Sequence, residues 1–442
     1  MVSSRGSRAH VSMTKALFVV VPVLALVVSS GTAVATHSAL AIDEATGVIN
    51  GAEYAMFVPP AWNGRLILYA HGFVDPGAPI ALPDAAPADV APWVVQLRET
   101  LLRAGYAVAY SSYAENGWAV KDGAARTHEL RDLFSSRFGA PTHVYVMGRS
   151  LGGLITVFLA ETFPGAYQGA LALCGPLGGG RLETDYIGNV RVLFDYFFPG
   201  VIPGDVLHVP EMEYSADSPL VKAIVAAILA NPQKAVALAS VDQIKLPYTT
   251  LGQLVLSIVR PIGYNIRGTN DLLARTGGQS PFGNVGVWYT RLGVVDPFVN
   301  AGVGRFAAQA GGLRFLSDYY QTRGTLAIPL LTLHTTLDPD VPFFHERAYA
   351  KIVAAARTST WLAQQSVQRY GHCKVTPAEV ATTLSRLVSW AENGVKPASG
   401  DVTFDLAISS PDSATTSAVA AASAELTFDE AILSATTGLS LP

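Results

Sequence analysis

The stretch HVYVMGRSLGG, residues 143–153, decides the fold. His143–Met147 is predicted to be a buried strand, and the apolar run that begins at Ser150 is predicted to be a helix. A G-x-S-x-G sequence between a strand and a helix is typical of a sharp, strained turn that presents the serine hydroxyl at a sheet edge. Gly148 and Gly152 lack a Cβ, so the strand and the helix can approach closely. We predict that Ser150 is a nucleophile; the alternative is a glycine-rich turn whose serine only caps the helix.

Strands and helices alternate on both sides of this turn. Residues 42–180 contain short apolar strands separated by helical stretches, which predicts an α/β fold with a mostly parallel central sheet and helices on both faces. The alternation returns in residues 324–397. Residues 181–323 are rich in Leu, Val, Gly and aromatic residues and do not alternate. We predict that they form a mainly helical insertion that acts as a lid or cap, the alternative being a second structural layer.

The first 41 residues resemble an export signal. Basic residues are followed by the apolar run Ala16–Val28, which is shorter than the roughly 20 apolar residues of a membrane span. Small residues then suit cleavage after Ala35 or after Ala41. We therefore expect a signal peptide, a secreted protein and no stable membrane anchor after cleavage; the alternative is an anchor that is not cleaved.

The last residues, 398–442, form an acidic tail without Lys or Arg. Residues 403–408 (TFDLAI) resemble residues 427–432 (TFDEAI), and the apolar residues around the first copy alternate as in a half-buried strand. We expect a small β-appendage with a flexible linker at residues 413–424. The alternative is a wholly disordered tail.

Composition excludes several classes of protein. Half of the residues are hydrophobic and 14% are charged, which predicts a large core and excludes global disorder. The net charge of −4 at pH 7 argues against a nucleic-acid partner, because phosphates attract basic proteins. Two cysteines cannot form a zinc site alone, and the nine histidines show no metal-ligand spacing. We expect no metal.

A serine nucleophile needs a base, and in folds with this turn the chain order is Ser, acid, His. Of the histidines after the insertion, His334 lies in a strand and His345 in the next helix. His372 lies in the loop between the final strand and the final helix, Pro377–Asn393, which Thr376 opens with a capping box. We predict that His372 is the general base.

The acid is predicted from the strand that precedes this histidine. Residues 330–334 (LLTLH) form a strand, and Asp338 follows just past its carboxyl end. Asp340 lies in the same turn and is the alternative, since aspartates in turns often only accept backbone hydrogen bonds. We favour Asp338 as the residue that orients His372.

An oxyanion needs two backbone N–H groups as hydrogen-bond donors. The residue after the nucleophile, Leu151, is predicted to supply one of them. Phe73, which follows the His71-Gly72 turn at the end of an early strand, is predicted to supply the other. The alternative for His71-Gly72 is an ordinary turn that ends a strand.

Four blocks resemble those of secreted bacterial α/β-hydrolases of the serine esterase and lipase type. They are YAHGF at 69–73, GRSLGG at 148–153, LHTTLDPDVP at 333–342 and GHC at 371–373, and they occur in the family's order. The resemblance implies an α/β-hydrolase fold and hydrolysis of a small-molecule or polymeric carboxylic ester through an acyl-enzyme, without a cofactor.

A narrower resemblance concerns the cysteines. Tannases and feruloyl esterases have one cysteine beside the nucleophilic serine and one beside the histidine, and these two are joined. This chain has Cys373 beside His372, but Arg149 precedes Ser150. Cys174 instead ends the strand that follows the nucleophile helix. By analogy with the family's pairing we predict a disulfide between Cys174 and Cys373, the alternative being two separate buried thiols.

Two other functions fit the same residues. A secreted serine peptidase uses the same triad and fold. A binding protein on an inactive hydrolase scaffold is the non-enzymatic alternative.

Overall fold

The computed structural model describes residues 41–402 and 428–442. These residues belong to one compact unit, Leu40–Pro442. The predicted signal peptide, apart from its last residue, and the predicted linker at 413–424 lie outside the described residues. Their assignments stay predictions.

A nine-stranded sheet forms the centre of the molecule. The strands of the chain are β1 (Asp43–Ile49), β2 (Ala52–Val58), β3 (Arg65–Ala70), β4 (Ala107–Ser111), β5 (His143–Arg149), β6 (Gly169–Leu173), β7 (Thr290–Arg291), β8 (Val294–Val295), β9 (Leu330–Leu337), β10 (Leu362–Tyr370) and β11 (Gly400–Asp401). Their order in the main sheet is β1-β2-β4-β3-β5-β6-β9-β10-β11, and β7 and β8 form a separate hairpin. Strand β2 is antiparallel to β1 and β4, and the pairs from β4 to β11 are parallel. This order confirms the predicted α/β-hydrolase fold.

Helices cover both faces of the sheet. They are α1 (Ala91–Arg103), α2 (Val120–Phe138), α3 (Leu151–Thr162), α4 (Gly180–Phe197), α5 (Pro219–Ala230), α6 (Pro232–Ala239), α7 (Leu251–Arg275), α8 (Pro297–Gly302), α9 (Ala310–Tyr319), α10 (Phe344–Ala355), α11 (Pro377–Asn393) and α12 (Phe428–Ala435). Successive strand residues point to opposite faces. In β3, Leu66 and Leu68 therefore join the core under α2 and α3, whereas Ile67 and Tyr69 join the core under α1 and α11.

The region between strands β6 and β9 contributes helices rather than strands to the main fold. Helices α4 to α9 and the β7–β8 hairpin all lie in it. Its buried residues share one apolar core with the sheet, as Val190 of α4 and Leu254 of α7 do with Leu154 of α3. The helices therefore pack directly on the body of the molecule, and their role as a lid stays a prediction.

Within the described ranges, no single helix is long and apolar enough to cross a membrane. Helices α5 and α6 reach that length and composition only as a pair, with a bend of 97° between them.

The acidic tail is described in two pieces, residues 398–402 and 428–442. Its only described strand is the two-residue β11, which pairs with β10 through Gln365 and Gly400. The first copy, residues 403–408, lies outside the described residues, so the strand predicted there stays a prediction. The second copy, from Phe428 on, begins the helix α12. The reason is spacing: Phe428 and Ile432 are four residues apart, so a helix brings them to one face. Ile432 is buried, and Phe428 stacks on Tyr214 with 6.1 Å between ring centroids.

The contact between the start of α3 and the end of β3 leaves no room for a side chain at Gly152. A Cβ there would lie 2.1 Å from the carbonyl oxygen of Ala70 and 2.6 Å from that of His71. Because these are backbone atoms, Gly152→Ala should lower the free energy of unfolding by about 2 kcal/mol or more. Urea unfolding followed by circular dichroism measures this change.

Gly165→Ala is the matched control, because a Cβ at this exposed turn meets no atom within 4 Å. Equal unfolding midpoints for the two variants would contradict the packing argument.

Candidate active site

Ser150 lies on a strained turn between β5 and α3. Its backbone has φ 60° and ψ −126°, a conformation that non-glycine residues rarely adopt. Close packing enforces this turn, because a Cβ at Gly148 would lie 2.2 Å from the carbonyl oxygen of Gly152. The loop after β3 is also close, since a Cβ at Gly72 would lie 3.1 Å from the Cβ of Ser150. The serine hydroxyl is thus held at the carboxyl edge of the sheet.

The structure brings Ser150, His372 and Asp338 together. The Oγ of Ser150 lies 2.8 Å from Nε2 of His372, and Nδ1 of the same ring lies 2.8 Å from Oδ2 of Asp338. Asp338 follows the end of β9, and His372 follows the end of β10. Parallel strands end at the same edge of a sheet, which explains why residues so distant in sequence meet there.

Asp340, the alternative acid, faces away from the imidazole of His372. Its carboxylate accepts two hydrogen bonds from Arg260, at 2.6 and 2.5 Å. Asp338 uses its second oxygen, Oδ1, to accept the backbone N–H groups of Asp340 and Val341. The turn therefore fixes Asp338 with one oxygen free for His372.

Burial and charge act in opposite directions on this pair. Burial lowers the pKa of His372, but the negative charge of Asp338 outweighs it and raises that pKa to about 9. Burial raises the pKa of Asp338, but the neighbouring His372 and His334 rings hold it well below its usual range. Asp338 is therefore ionised across neutral pH, and its charge favours the protonated form of His372.

Phe73 and Leu151, the predicted oxyanion donors, each follow a residue of the Ser150 turn or of the loop packed against it. Leu151 is the first residue of α3, where N–H groups have no partner within the helix. The contact of Gly72 with Ser150 brings the start of the Phe73 segment to the same side. Within residues 41–402 and 428–442, neither of these two N–H groups has a hydrogen-bond acceptor.

His71 is part of the wall behind this loop. Its ring stacks on Tyr113 with 3.7 Å between centroids, and its nitrogens lie 2.8 Å from the Gly72 carbonyl oxygen and 3.2 Å from that of Ser112. Burial lowers the pKa of His71 to about 4. It is therefore neutral and positions the loop that carries Phe73.

The two cysteines are free thiols, so the predicted disulfide is wrong. Each sulfur lies near a backbone carbonyl of a neighbouring strand, Cys174 at 3.7 Å from Leu333 and Cys373 at 3.6 Å from Leu173. Burial raises the pKa of Cys174 well above its usual value. Burial also raises the pKa of Cys373, but the Cys174 thiol and the charge of His372 outweigh it and bring the value to about 6.

Arg149 occupies the place where the resemblance leads one to expect a cysteine. Its guanidinium lies 5.6 Å from the ring centroid of Trp93, and its buried Nε has no hydrogen-bond partner among the described residues. Its positive charge acts to lower the pKa of both thiols.

A cleft adjoins the Phe73 ring. It contains about 390 Å³ of empty space, open solvent included. Trp118 and Tyr264, which line it, make edge contacts with Phe73 at 6.3 and 5.6 Å between centroids. The rest of the lining is mainly apolar and comes from α4, α7 and the segment before β7; it includes Ile187, Leu272 and Phe282. The lining of this cleft therefore suits an apolar group.

In the part of the chain that the structure describes, no group of three or more His, Cys, Asp or Glu side chains could hold a metal ion.

Sequence reasoning missed an ionic network that connects the C-terminal helix to both loops of the site. Asp429 of α12 accepts a hydrogen bond from Arg260 at 2.7 Å, and Arg260 also binds Asp340, two residues after Asp338. The same carboxylate lies 3.6 Å from Nζ of Lys374, two residues after His372. No local pattern signals these pairs, because their members lie far apart in sequence.

Comparisons with known proteins give one family match and several similar folds. A family model described as a tannase-like family of unknown function matches residues 49–201. No curated protein matches the sequence. Among solved structures, the chain is similar to feruloyl esterase B from Aspergillus oryzae, at 14% identity over 81% of this chain and 83% of that chain, with a TM-score of 0.43. A second esterase from Aspergillus oryzae gives 13% identity over 80% and 81%, with a TM-score of 0.44. An esterase of Pyrococcus furiosus gives 9% identity over 79% and 90%, with a TM-score of 0.40.

The ionic network predicts that the C-terminal helix stabilises the body of the protein. Asp429→Asn removes the charge that Arg260 and Lys374 share, in partly buried surroundings. The free energy of unfolding should fall by about 1 kcal/mol. Urea unfolding measures this loss of stability. Raising the salt concentration should reduce the difference in unfolding free energy between the variant and the unaltered protein, because salt screens the ion pairs.

Asp217→Asn is the matched control, since Asp217 pairs with Lys222 at 3.1 Å on the open surface. Such exposed pairs contribute little. An equal effect of both substitutions would show that the network has no special role.

Proposed function

We propose that this chain is a serine hydrolase that cleaves carboxylic esters through an acyl-enzyme on Ser150. The observation that carries the proposal is the pair of 2.8 Å contacts from Ser150 through His372 to Asp338 on a strained turn. The N–H groups of Phe73 and Leu151, near this turn, have no acceptor among the residues that the structure describes. The match of residues 49–201 to a tannase-like family model supports it. The export pattern in the first 41 residues supports a site of action outside the cell.

In the first half of the reaction, Nε2 of His372 takes the proton of Ser150 while Oγ attacks the ester carbonyl carbon. The carbonyl π electrons move to the oxygen, which accepts hydrogen bonds from the N–H groups of Phe73 and Leu151. Asp338 keeps the proton of His372 on Nδ1, so Nε2 faces the serine as a base. Its charge stabilises the imidazolium that forms.

The tetrahedral intermediate then collapses. The bond between the carbonyl carbon and the alcohol oxygen breaks, and the leaving oxygen receives the proton from Nε2 of His372. Water follows the same route in the second half: His372 takes its proton, its oxygen attacks the acyl carbon, and Ser150 leaves with the proton returned. The products are a carboxylic acid and an alcohol, and the protein returns to its starting state.

The cleft beside Phe73 suggests where part of the ester binds. Because Trp118 and Tyr264 line the cleft and contact the ring of Phe73, a substituent of the ester can enter the cleft while the carbonyl remains at Ser150. Its aromatic and aliphatic lining favours an apolar or aromatic group, from a small molecule or from a polymer.

Ser150→Ala should abolish the hydrolysis of p-nitrophenyl esters, with kcat/KM falling by about 10⁴-fold or more. Labelling by a fluorophosphonate probe should disappear in the same variant, because the probe reacts with an activated serine. Ser136→Ala, on the exposed side of α2, is the control and should keep both properties.

A panel of peptide substrates run beside the esters separates an esterase from a peptidase. A folded protein that hydrolyses neither class and whose Ser150 resists the probe would instead support a binding protein.

The pH profile should report His372. Since its pKa is raised to about 9, the imidazole is protonated below that pH and cannot accept the Ser150 proton. We expect kcat/KM to fall as the pH drops through this value. Asp338→Asn removes the charge that raises the pKa, so the falling limb should move to lower pH while the activity drops by about 10⁴-fold. A flat profile from neutral to alkaline pH would contradict this role of His372.

A further inference from the structure

His334 is a second buried histidine beside the acid of the site. It lies on β9, four residues before Asp338, and its side chain has no exposed surface. Its Nδ1 lies 3.1 Å from Oε1 of Glu346 on α10. Its Nε2 lies 2.9 Å from the carbonyl oxygen of Val341 and 3.5 Å from Oδ2 of Asp338. Both ring nitrogens therefore face oxygen acceptors.

The other side-chain partners of Glu346 are hydrogen-bond donors. Its Oε2 accepts hydrogen bonds from Oγ1 of Thr332 at 2.8 Å and from Nε2 of Gln364 at 2.5 Å, while Oε1 faces His334. A carboxylate that receives donors on both oxygens needs no proton of its own. The proton between Glu346 and His334 is therefore assigned to the imidazole. A second proton on Nε2 would be donated to the carbonyl oxygen of Val341, which can only accept.

His71 provides a contrast within the same protein. Its nitrogens also face two oxygens, but both belong to backbone carbonyls, and no carboxylate contacts the ring among the residues that the structure describes. Burial alone then keeps His71 neutral. His334 is equally buried but lies between two carboxylates, Asp338 and Glu346. Opposite charges at this distance stabilise a buried cation.

We infer that His334 is a protonated, buried positioning residue that fixes the Asp338 carboxylate and weakens its electrostatic pull on His372. This extends the proposed series of polar contacts from three residues to five. In order they are Ser150, His372, Asp338, His334 and Glu346. The inference rests on the proposed function for its effect on catalysis, but not for the charge state of His334.

The position of Oδ2 of Asp338 supports this interpretation. The atom lies 2.8 Å from Nδ1 of His372 and 3.5 Å from Nε2 of His334, so two imidazoles share one carboxylate oxygen. Burial lowers the pKa of His334, but the hydrogen bonds with Asp338 and Glu346 outweigh it and raise that pKa to about 10. The ring therefore stays charged over the pH range in which His372 titrates.

Other charged groups surround these five residues from neighbouring elements. His345 on α10 is kept neutral, because burial and the charge of His334 lower its pKa to about 3. Glu183 on α4 lies 2.9 Å from Nε2 of His345, and burial raises its pKa well above the usual value, which favours its neutral form. Asp340 is neutralised by Arg260. Among the described residues, His334 is thus the second imidazole, beside His372, that contacts the carboxylate of Asp338.

Removing this cation should raise the pKa of His372, because Asp338 then acts on it with its full charge. At an effective dielectric constant near 20, a unit charge within several ångströms of an imidazole changes the pKa of that imidazole by about one or more. The falling limb of kcat/KM should move to higher pH by about one unit. With Asp338 less firmly held, kcat should also fall by about tenfold while KM changes little.

The test compares three variants of the full chain. His334→Gln removes the cation but leaves the buried carboxylate of Glu346 unpaired, which destabilises the fold. The double variant H334Q/E346Q removes both charges together and keeps amide groups at the positions of the donors and acceptors. The control is His128→Gln on α2, a partly buried histidine that contacts Tyr167 rather than the site.

Nitrogen-15 spectra of the imidazoles, followed over pH, read both histidines directly. At neutral pH we expect two buried imidazoliums, those of His334 and His372, each with two bound protons. The His334 signal should be lost in H334Q/E346Q and kept in the His128 variant. The titration of His372 should move upward in the double variant. A neutral His334 in the unaltered protein, or an unchanged titration of His372 in the double variant, would overturn the inference.

This readout does not depend on turnover. A protein that shows the imidazolium and the shift of His372 but hydrolyses no ester would contradict the proposed function and leave the inference about His334 standing.

Discussion

Strand β5 and helix α3 approach each other until the backbone of Gly152 touches the end of β3, and this contact determines the geometry of the site. A Cβ at Gly148 or Gly152 would lie little more than 2 Å from a backbone oxygen, so neither position accepts another residue. Because the strand and the helix are packed this closely, the turn between them is tight, and Ser150 has a positive φ. The energy of packing the strand and helix holds this strain. The serine hydroxyl, the start of the helix and the loop of Phe73 are thereby brought to one point.

The groups around that point are held by charge as much as by packing. The acid turn has two aspartates with separate roles: Asp338 faces two imidazoles, and Asp340 faces Arg260. Each of these buried anions has a nearby donor or cation, which is the condition under which charges persist in an apolar interior. Every charge that stabilises the carboxylate of Asp338 also changes the pKa of His372. Positioning and proton affinity are therefore adjusted together.

Much of this arrangement was predictable from local patterns. The glycine spacing around Ser150, the strand before Asp338 and the capping box after His372 predicted the fold, and the three residues that meet are those that the sequence indicated. Interactions between distant segments were not predictable. His334 looked like an ordinary strand residue until Glu346 and Asp338 were seen on either side of it. The predicted disulfide is absent: Cys174 and Cys373 lie close to each other, as sequence indicated, but as free thiols. The repeat in the tail suggested a strand, but its second copy packs as a helix.

The position of Asp429 has a practical consequence for handling the protein. Helix α12 packs on α7, and its carboxylate reaches Arg260 beside the acid loop and Lys374 beside the histidine loop. A chain shortened before residue 428 would keep Ser150, His372 and Asp338 and still lose both ion pairs. Tags, fusions and truncations near helix α12 are therefore expected to affect the loops of the site, although they lie far from them in sequence.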